Sequence, residues 1–370
     1  IRRQPDGRRE LYVAPTRESR LPSCAFAEAA LLLRDGDGGK KQVAAALIPA
    51  PPSPPNSLTQ GHRRRVILFA HGNAVDLAQQ LPFLRELSNA LARGGAPVAI
   101  ACFDYQGYGE SKKVVVSESG EEDGDGERNR AAATSSSAAS CTCGAPSSSS
   151  SSLHSPVCPD HGPAPDCSTA DALLDGAAAL RWLLEEKGFQ PQEVLLYGQS
   201  LGSGVATSLA VAMSERERRR AKAEESKANK NKNRSKETAS APASSPSPPC
   251  LAAAGLLLHS PLASGLRVLK PGWRWWPSAL DIFPVARAAS KMYSSPSSSS
   301  SSSSSRTTKC LVIHGDADDV VPFENGRAVF DALPPEARVA PLWVSGGGHC
   351  DLEGKAVFLP RLLKFLKEEI

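Results

Sequence analysis

The sequence predicts an α/β fold, a mostly parallel central sheet with helices on both faces and long disordered inserts. Three observations carry that expectation. Short, wholly apolar runs recur, as at Val66–Ala70 and Gly255–His259, and such runs suit strands buried on both sides of a sheet. Stretches with helical spacing alternate with them, as in Leu81, Leu84, Leu87 and Leu91. The 370 residues include 30 Pro and 29 Gly but only 5% aromatics, the composition of a folded core diluted by segments that lack one.

The elements follow in order. Residues 21–33 and 42–48 flank the turn-forming Asp35-Gly36-Asp37-Gly38-Gly39 and read as a hairpin. Val66–Ala70 is a strand, Leu77–Arg93 a helix, and 98–103 a second apolar strand. A helix over 169–187 carries Ala178, Leu180, Leu183 and Leu184 in its apolar stripe. Strand 193–197 and helix 201–213 come next, then strands Gly255–His259 and 310–314. Helix 325–333, strand 340–344 and helix 352–367 close the chain. Four low-complexity stretches separate these elements: 49–65, 113–168, 214–249 and 294–308. Each has too little apolar content to offset the entropy of ordering it, so all four are expected as disordered loops. What remains is a single catalytic domain of about 240–250 residues, within the usual upper range for one core. It occupies 1–370, with its core from about 11 to 348 and a C-terminal helix over 352–367.

Composition excludes several classes. Lys+Arg 43 against Asp+Glu 39 leaves a formal charge of +4, too small a balance to indicate nucleic-acid binding. The basic run in 214–236 is blunted by Glu215, Glu217, Glu224 and Glu225. No apolar run approaches the roughly 20 residues that span a bilayer. No charged, apolar, small-residue leader opens the chain, and its first residue is Ile1 rather than Met, so an upstream segment is expected. Nine cysteines are scattered; Cys24, Cys102, Cys250 and Cys310 stand beside or inside apolar runs and read as buried free thiols of a reducing compartment. Cys141, Cys143, Cys158 and Cys167, with His154 and His161 between them, are of zinc-ligand type. Their irregular gaps do not suit a preformed tetrahedral site, so neither metal nor cofactor is expected.

In a parallel sheet, reactive residues gather at the carboxyl ends of the strands. There the chain carries Gly198-Gln199-Ser200-Leu201-Gly202 between a strand and a helix. Glycines two residues either side of Ser200 let strand and helix crowd a tight turn, and the turn lifts the hydroxyl above the sheet edge. The N–H of Leu201 opens a helix, where orphan donors and the dipole favour a developing anion. A serine nucleophile needs an adjacent base. Among seven histidines, His349 follows strand 340–344 in a loop of three glycines that can set an imidazole over the sheet edge. His71 and His314 each precede a glycine at a strand end and read as packing or supporting residues. A carboxylate must orient the base, and Asp316, Asp318 and Asp319 compete for that place after strand 310–314. The order Ser, acid, His is that of α/β-hydrolases.

Longer blocks carry a more specific resemblance. They are His71-Gly72-Asn73-Ala74-Val75-Asp76-Leu77, Asp104-Tyr105-Gln106-Gly107-Tyr108-Gly109, Tyr197-Gly198-Gln199-Ser200, and the run from Leu258 to Val268 that opens Leu258-His259-Ser260-Pro261. Asp281-Ile282-Phe283-Pro284 and Pro341-Leu342-Trp343-Val344 complete them. With these blocks in this order, the chain resembles the α/β-hydrolase domain-containing protein 17 family, the depalmitoylating serine hydrolases. The resemblance implies an α/β-hydrolase fold and a triad of Ser200, Asp318 and His349, the acid standing four residues after His314. It implies S-acylated proteins as substrates, at the cytoplasmic face of membranes, by a peripheral and monomeric enzyme. Backbone N–H groups of Leu201 and Asn73 are the expected oxyanion donors. Family members bear a cysteine-rich, lipidated N-terminus, and Ile1-Arg2-Arg3-Gln4 shows no such cluster. The segment Lys270-Pro271-Gly272-Trp273-Arg274-Trp275-Trp276-Pro277 lies where lids attach in this fold. Trp273, Trp275 and Trp276 beside basic residues suit a membrane interface or an acyl pocket, or else simple packing over the sheet. Competing readings are a general carboxylesterase or lipase-like enzyme, a serine aminopeptidase-like hydrolase, and an inactive hydrolase-fold scaffold.

Overall fold

The computed structural model of the protein describes residues 2–3, 9–10, 26–36, 39–52, 64–73, 75–109, 111–113, 168–234, 252–265, 283–292 and 308–370. The hairpin is β1 (Glu28–Gly36) and β2 (Gly39–Ile48). Then come β3 (Val66–Ala70), α1 (Leu77–Arg93), β4 (Ala99–Phe103), α2 (Thr169–Arg181) and β5 (Val194–Gln199). The second half holds α3 (Gly202–Arg234), β6 (Gly255–His259), α4 (Val285–Ala289), β7 (Lys309–Gly315), α5 (Glu324–Ala332), β8 (Leu342–Val344) and α6 (Phe358–Lys364).

The strands lie in the order β1-β2-β4-β3-β5-β6-β7-β8. β2 runs antiparallel to both β1 and β4, while every pair from β4 to β8 is parallel. A two-residue strand, Lys112–Lys113, also pairs with β2. This is the α/β-hydrolase fold. β3 lies between β4 and β5, with Val66 level with Ala99 on one side and Val194 on the other. The chain reverses its direction of winding there, and the crevice beyond the carboxyl ends of such strands is where open α/β sheets bind ligands. The residues after β3 and after β5 therefore face a common opening.

Strand alternation divides the core in two. Val66, Leu68 and Ala70 point to one face, where they pack with α2, α3, α4 and α5. Ile67 and Phe69 point to the other, toward α1 and α6. Both faces are covered, so the central strands are apolar along most of their length, as the runs at Val66–Ala70 and Gly255–His259 predict. Asp76 caps α1 by accepting the N–H of Gln79 at 2.9 Å, and Ser168 caps α2 through the N–H of Asp171 at 3.0 Å. On the hairpin, buried Arg34 binds Asp175 at 2.5 Å and Asp171 at 2.8 Å, and Lys41 also pairs with Asp171. These ties fasten the two antiparallel strands to α2.

Three expectations need correction. The stretch 214–249 is not a loop throughout: α3 continues unbroken to Arg234. Its Ala, Glu, Arg and Lys residues are good helix formers, and Glu215–Arg219 and Glu217–Arg220 pair at one-turn spacing. The final helix does not run whole from 352. Leu352–Gly354 is a separate 3₁₀ turn, and α6 starts at Phe358. Pro360 falls in the first turn of α6, where a proline costs no intrahelical hydrogen bond. The helix over 169–187 is present along its length and is corrected only in type, its last turn, Trp182–Glu186, being π-helical. Most of 49–65, 113–168 and 294–308 lies outside the described residues.

Candidate active site

The turn after β5 is built by steric necessity. A Cβ on Gly198 would overlap the backbone of Gly202 and Ser203, and one on Gly202 would overlap the carbonyls of Ala70 and His71. Only glycine at both positions lets β5, α3 and the end of β3 meet. Between them Ser200 takes a φ of 50°, a left-handed conformation costly for a residue with a Cβ. The turn is fixed by the Ser200 N–H, which donates to the His259 carbonyl at 2.9 Å. On its far side Ser203 donates to the Ser200 carbonyl through both its N–H at 3.0 Å and its hydroxyl at 2.6 Å.

The glycine loop after β8 brings His349 over this turn. Gly346 takes a φ of 65°, and Gly347 packs so closely on Gly315 that a Cβ there would strike its backbone. The loop is pinned by Ala317 N–H to the Gly347 carbonyl at 3.0 Å and by Gly348 N–H to Asp351 at 2.7 Å. His349 is buried, and its Nε2 lies 3.1 Å from Ser200 Oγ. Its Nδ1 lies 2.8 Å from Asp318 Oδ2. With Nδ1 donating to the carboxylate, Nε2 is left to accept the serine proton.

The three acids after β7 occupy different places. Asp316 is exposed and accepts the Gly346 N–H at 2.7 Å, so it braces the glycine loop. Asp319 is exposed. Asp318 alone is buried and meets His349. Its Oδ1 accepts the N–H groups of Val320 at 3.0 Å and Val321 at 2.7 Å. Its Oδ2 accepts from His349 and lies 3.2 Å from His314 Nε2. Burial pushes this carboxyl up, but the hydrogen bonds from His314, His349 and Val321 outweigh it and hold the group well below the usual carboxylate range. Asp318 is therefore an anion shared by two histidines. His314, expected as a packing or supporting residue, is fully buried and also reaches the Val321 carbonyl at 2.9 Å.

Across the opening stands the turn after β3. A Cβ on Gly72 would sit 3.5 Å from Ser200 Cβ, which sets the Gly72–Asn73 backbone beside the serine. The Asn73 side chain accepts the Tyr108 hydroxyl at 2.5 Å, and the Tyr105 hydroxyl donates to the His71 carbonyl at 2.8 Å. His71 is buried against both rings, with centroids 4.3 Å from Tyr105 and 5.4 Å from Tyr108. Burial lowers it to about 4, against a hydrogen bond to Gly72, so it is neutral near pH 7. Asp104 holds the start of α1 through the Leu77 N–H at 2.6 Å. Sequence reasoning placed Asn73 here but missed the tyrosines that hold it; the signal was the block Asp104-Tyr105-Gln106-Gly107-Tyr108 at the end of β4. Leu201 follows Ser200 directly and precedes α3. Trp273, Trp275 and Trp276 lie outside the described residues, as do Cys141, Cys143, Cys158, Cys167, His154 and His161. Among the described residues no group of three His, Cys, Asp or Glu side chains is arranged to hold a metal ion, and no helix is long and apolar enough to cross a membrane.

No protein-family model matches the chain. The chain is similar to alpha/beta hydrolase domain-containing protein 17C of Mus musculus and of Homo sapiens, 28% identical to each over 307 residues and 83% of this chain. It is 26% identical over 304 residues to alpha/beta hydrolase domain-containing protein 17B of Xenopus laevis. The matched chain spans 61% of the mouse protein and 59% of the human one. Among solved structures it overlaps an alpha-beta serine hydrolase homologue from Coxiella burnetii, at 12% identity and a TM-score of 0.44, covering 92% of this chain and 97% of that one. It also overlaps the apo form of Thermogutta terrifontis esterase 2, at 16% identity and a TM-score of 0.46, covering 94% and 95%. The strand order, not these loose overlaps, defines the fold.

Proposed function

We propose that the protein is a serine hydrolase that cleaves S-acyl thioesters on proteins through an acyl-enzyme intermediate. One observation carries the reading: the relay from Ser200 Oγ to His349 Nε2 at 3.1 Å and from His349 Nδ1 to Asp318 Oδ2 at 2.8 Å. In this reading His349 takes the Ser200 proton as Oγ attacks the acyl carbonyl. Asp318, ionised, holds the imidazole in the required tautomer and stabilises the imidazolium. The oxyanion is met by the N–H groups of Leu201 and Asn73, each worth roughly 3–4 kcal/mol to the transition state. The C–S bond then breaks, the imidazolium gives its proton to the departing thiolate, and the acyl group stays on Ser200. Water attacks next, His349 taking its proton, and the fatty acid and free serine are released. No cofactor is required by these steps.

The substrate class rests on the resemblance to depalmitoylating hydrolases and on the chemistry: a thiolate departs more readily than an amine, so the site need not activate an amide. Peripheral action at the cytoplasmic face of a membrane, by a monomer, belongs to the same proposal, with Trp273, Trp275 and Trp276 as contacts. Labelling with a fluorophosphonate probe tests the chemistry. One adduct on Ser200, absent in Ser200→Ala, supports the hydrolase; a folded protein that takes no label refutes it and leaves the scaffold reading. Comparing a long-chain acyl thioester with the matching oxygen ester and amide tests the substrate class. Preference for the oxygen ester would favour a carboxylesterase, and turnover of the amide an aminopeptidase-like enzyme. Trp275→Ala with Trp276→Ala should slow hydrolysis of vesicle-bound substrate and spare a small soluble ester; equal loss on both would overturn the interface role.

A further inference from the structure

Directly beneath the reacting pair lies a buried polar cluster that the proposed chemistry does not use. Glu353 sits in the 3₁₀ turn Leu352–Gly354, four residues after His349, and is 2% exposed. Its Oε1 accepts the side-chain amide of Gln199 at 3.1 Å, and Gln199 immediately precedes Ser200. The same oxygen lies 3.5 Å from His259 Nδ1, which is 2.9 Å from the Tyr197 hydroxyl. His259 is in turn the residue whose carbonyl receives the Ser200 N–H. All four side chains are buried.

We infer that Glu353 is a positioning residue for the hydrolysis proposed above: with Gln199 it forms a second tie between the serine turn and the histidine loop, running beside the Ser200–His349 contact. The inference rests on that reading of Ser200. Its argument is geometric and energetic. The Ser200–His349 hydrogen bond must break and reform in each cycle, whereas the Gln199–Glu353 bond joins the same two loops and takes no part in the chemistry. The cluster is also an expensive way to fill a core. Among the described residues Gln199 Oε1, Glu353 Oε2 and His259 Nε2 are each buried with no hydrogen-bond partner, a cost that apolar residues of the same volume would not carry. Stability alone does not account for such a set placed under a serine turn.

The charge state fits the role. Glu353 is faced by Tyr197 from β5, by His259 from β6, and by Cys350 and Asp351 from its own loop, none of them a cation near neutral pH. Burial, with Asp351 adding to it, pushes the Glu353 carboxyl up to about 8. Burial also lowers His259 to about 3, with repulsion from His349 and His314 in the same direction. At pH 7 the tie is therefore made by a neutral acid. Ionisation above pH 8 puts a charge beneath the site with none of these groups a cation to offset it, and its desolvation cost favours rearrangement of the cluster.

The test measures kcat and KM for hydrolysis of p-nitrophenyl acetate between about pH 6.5 and 9.5 in the full chain, with thermal melts at each pH. Glu353→Ala should lower kcat about tenfold to a hundredfold with KM within about twofold, the signature of misplaced reacting groups. Glu353→Gln keeps the acceptor for Gln199 but cannot ionise; it should restore kcat to near wild type and abolish the wild-type decline above pH 8. Unchanged kcat in Glu353→Ala overturns the inference. So does a Glu353→Gln enzyme that keeps the alkaline decline, and this second result decides the matter even where Glu353→Ala fails to fold. A wild type that neither takes a fluorophosphonate label nor turns over the ester refutes the hydrolase reading itself, a failure distinct from either of these.

Discussion

The carbonyl of His259 accepts the N–H of Ser200 at 2.9 Å, and this bond closes a turn in which Ser200 is held at a φ of 50°. A residue with a Cβ pays about 1 kcal/mol or more for that conformation, and glycine does not. Ser200→Gly and Ser200→Ala both remove the hydroxyl, so they differ only in backbone strain and chain entropy. Ser200→Gly should be the more stable of the two by about 1 kcal/mol while both are inactive. Scanning calorimetry of the two variants checks this; a Ser200→Gly variant less stable than Ser200→Ala would show that strain at this turn does not exceed the entropy cost of glycine.

The hydroxyl of Tyr108 reaches the Asn73 side chain at 2.5 Å and so steadies the turn that carries the proposed second oxyanion donor. Tyr108→Phe keeps the ring against His71 and removes the hydroxyl that makes this tie. Its kcat should fall roughly tenfold with little change in KM, because a donor displaced by a fraction of an ångström acts mainly on the transition state. A change confined to KM would instead place Tyr108 in substrate binding.

Asp318 is held below its ordinary value of 3.8, so it binds its proton less readily in the folded state than in the unfolded chain. Such a group contributes stability that is in place above about pH 4 and drains away as the pH falls toward the folded value. Asp318→Asn should therefore melt below wild type at pH 7, with the gap narrowing near pH 3. Activity should fall by roughly 10⁴-fold, because an amide cannot hold His349 in the tautomer that accepts the serine proton. A stability gap that stays constant with pH would disprove the ionised assignment.

Gly202 touches the carbonyls of Ala70 and His71, main-chain atoms of β3 that cannot swing aside. Gly202→Ala should destabilise the domain by about 3 kcal/mol, at the upper end of overpacking costs. Ser203→Ala, one position on, deletes a hydroxyl bond but adds no atom, and should cost only about 1 kcal/mol. Urea titrations of the two variants give the comparison, and a mild effect at Gly202 would refute the close approach.

Much of this arrangement is legible in the sequence, and the residues show why. Strands buried on both faces have no polar side to disguise them, so β3 and β6 stand out at their observed bounds. Ser200 and His349 are legible because glycines announce where backbone must crowd or turn. The acid is not, since Asp316, Asp318 and Asp319 share one composition and differ in where the chain points them. Val320 and Val321 turn Asp318 inward with their N–H groups, while Asp316 is drawn to Gly346. Glu353 lies beyond reach for a related reason: its partners Gln199 and His259 come from β5 and β6, far from it in the chain. The stretch after Met213 misleads differently. Its charged, Ala-rich composition suits a disordered segment and a solvated helix equally well, and the pairing of Glu215 with Arg219 tips it to helix.

α3 is one rod with two unlike ends. It starts at the serine turn and extends 33 residues, roughly 50 Å at the rise of an α-helix. Among its described side chains Met213 is the last that is apolar and buried. The first third is held by the sheet beneath it, and beyond Met213 the pairs Glu215–Arg219 and Glu217–Arg220 lie along the helix itself. A single element therefore spans nearly the whole range of local opening energies in the protein. Amide exchange should slow to the global limit near Val205 and run almost free past Glu217. Salt that unwinds the distal turns then has no mechanical purchase on Ser200, so the outer helix can fray, be cleaved or be clasped without disturbing the reacting end.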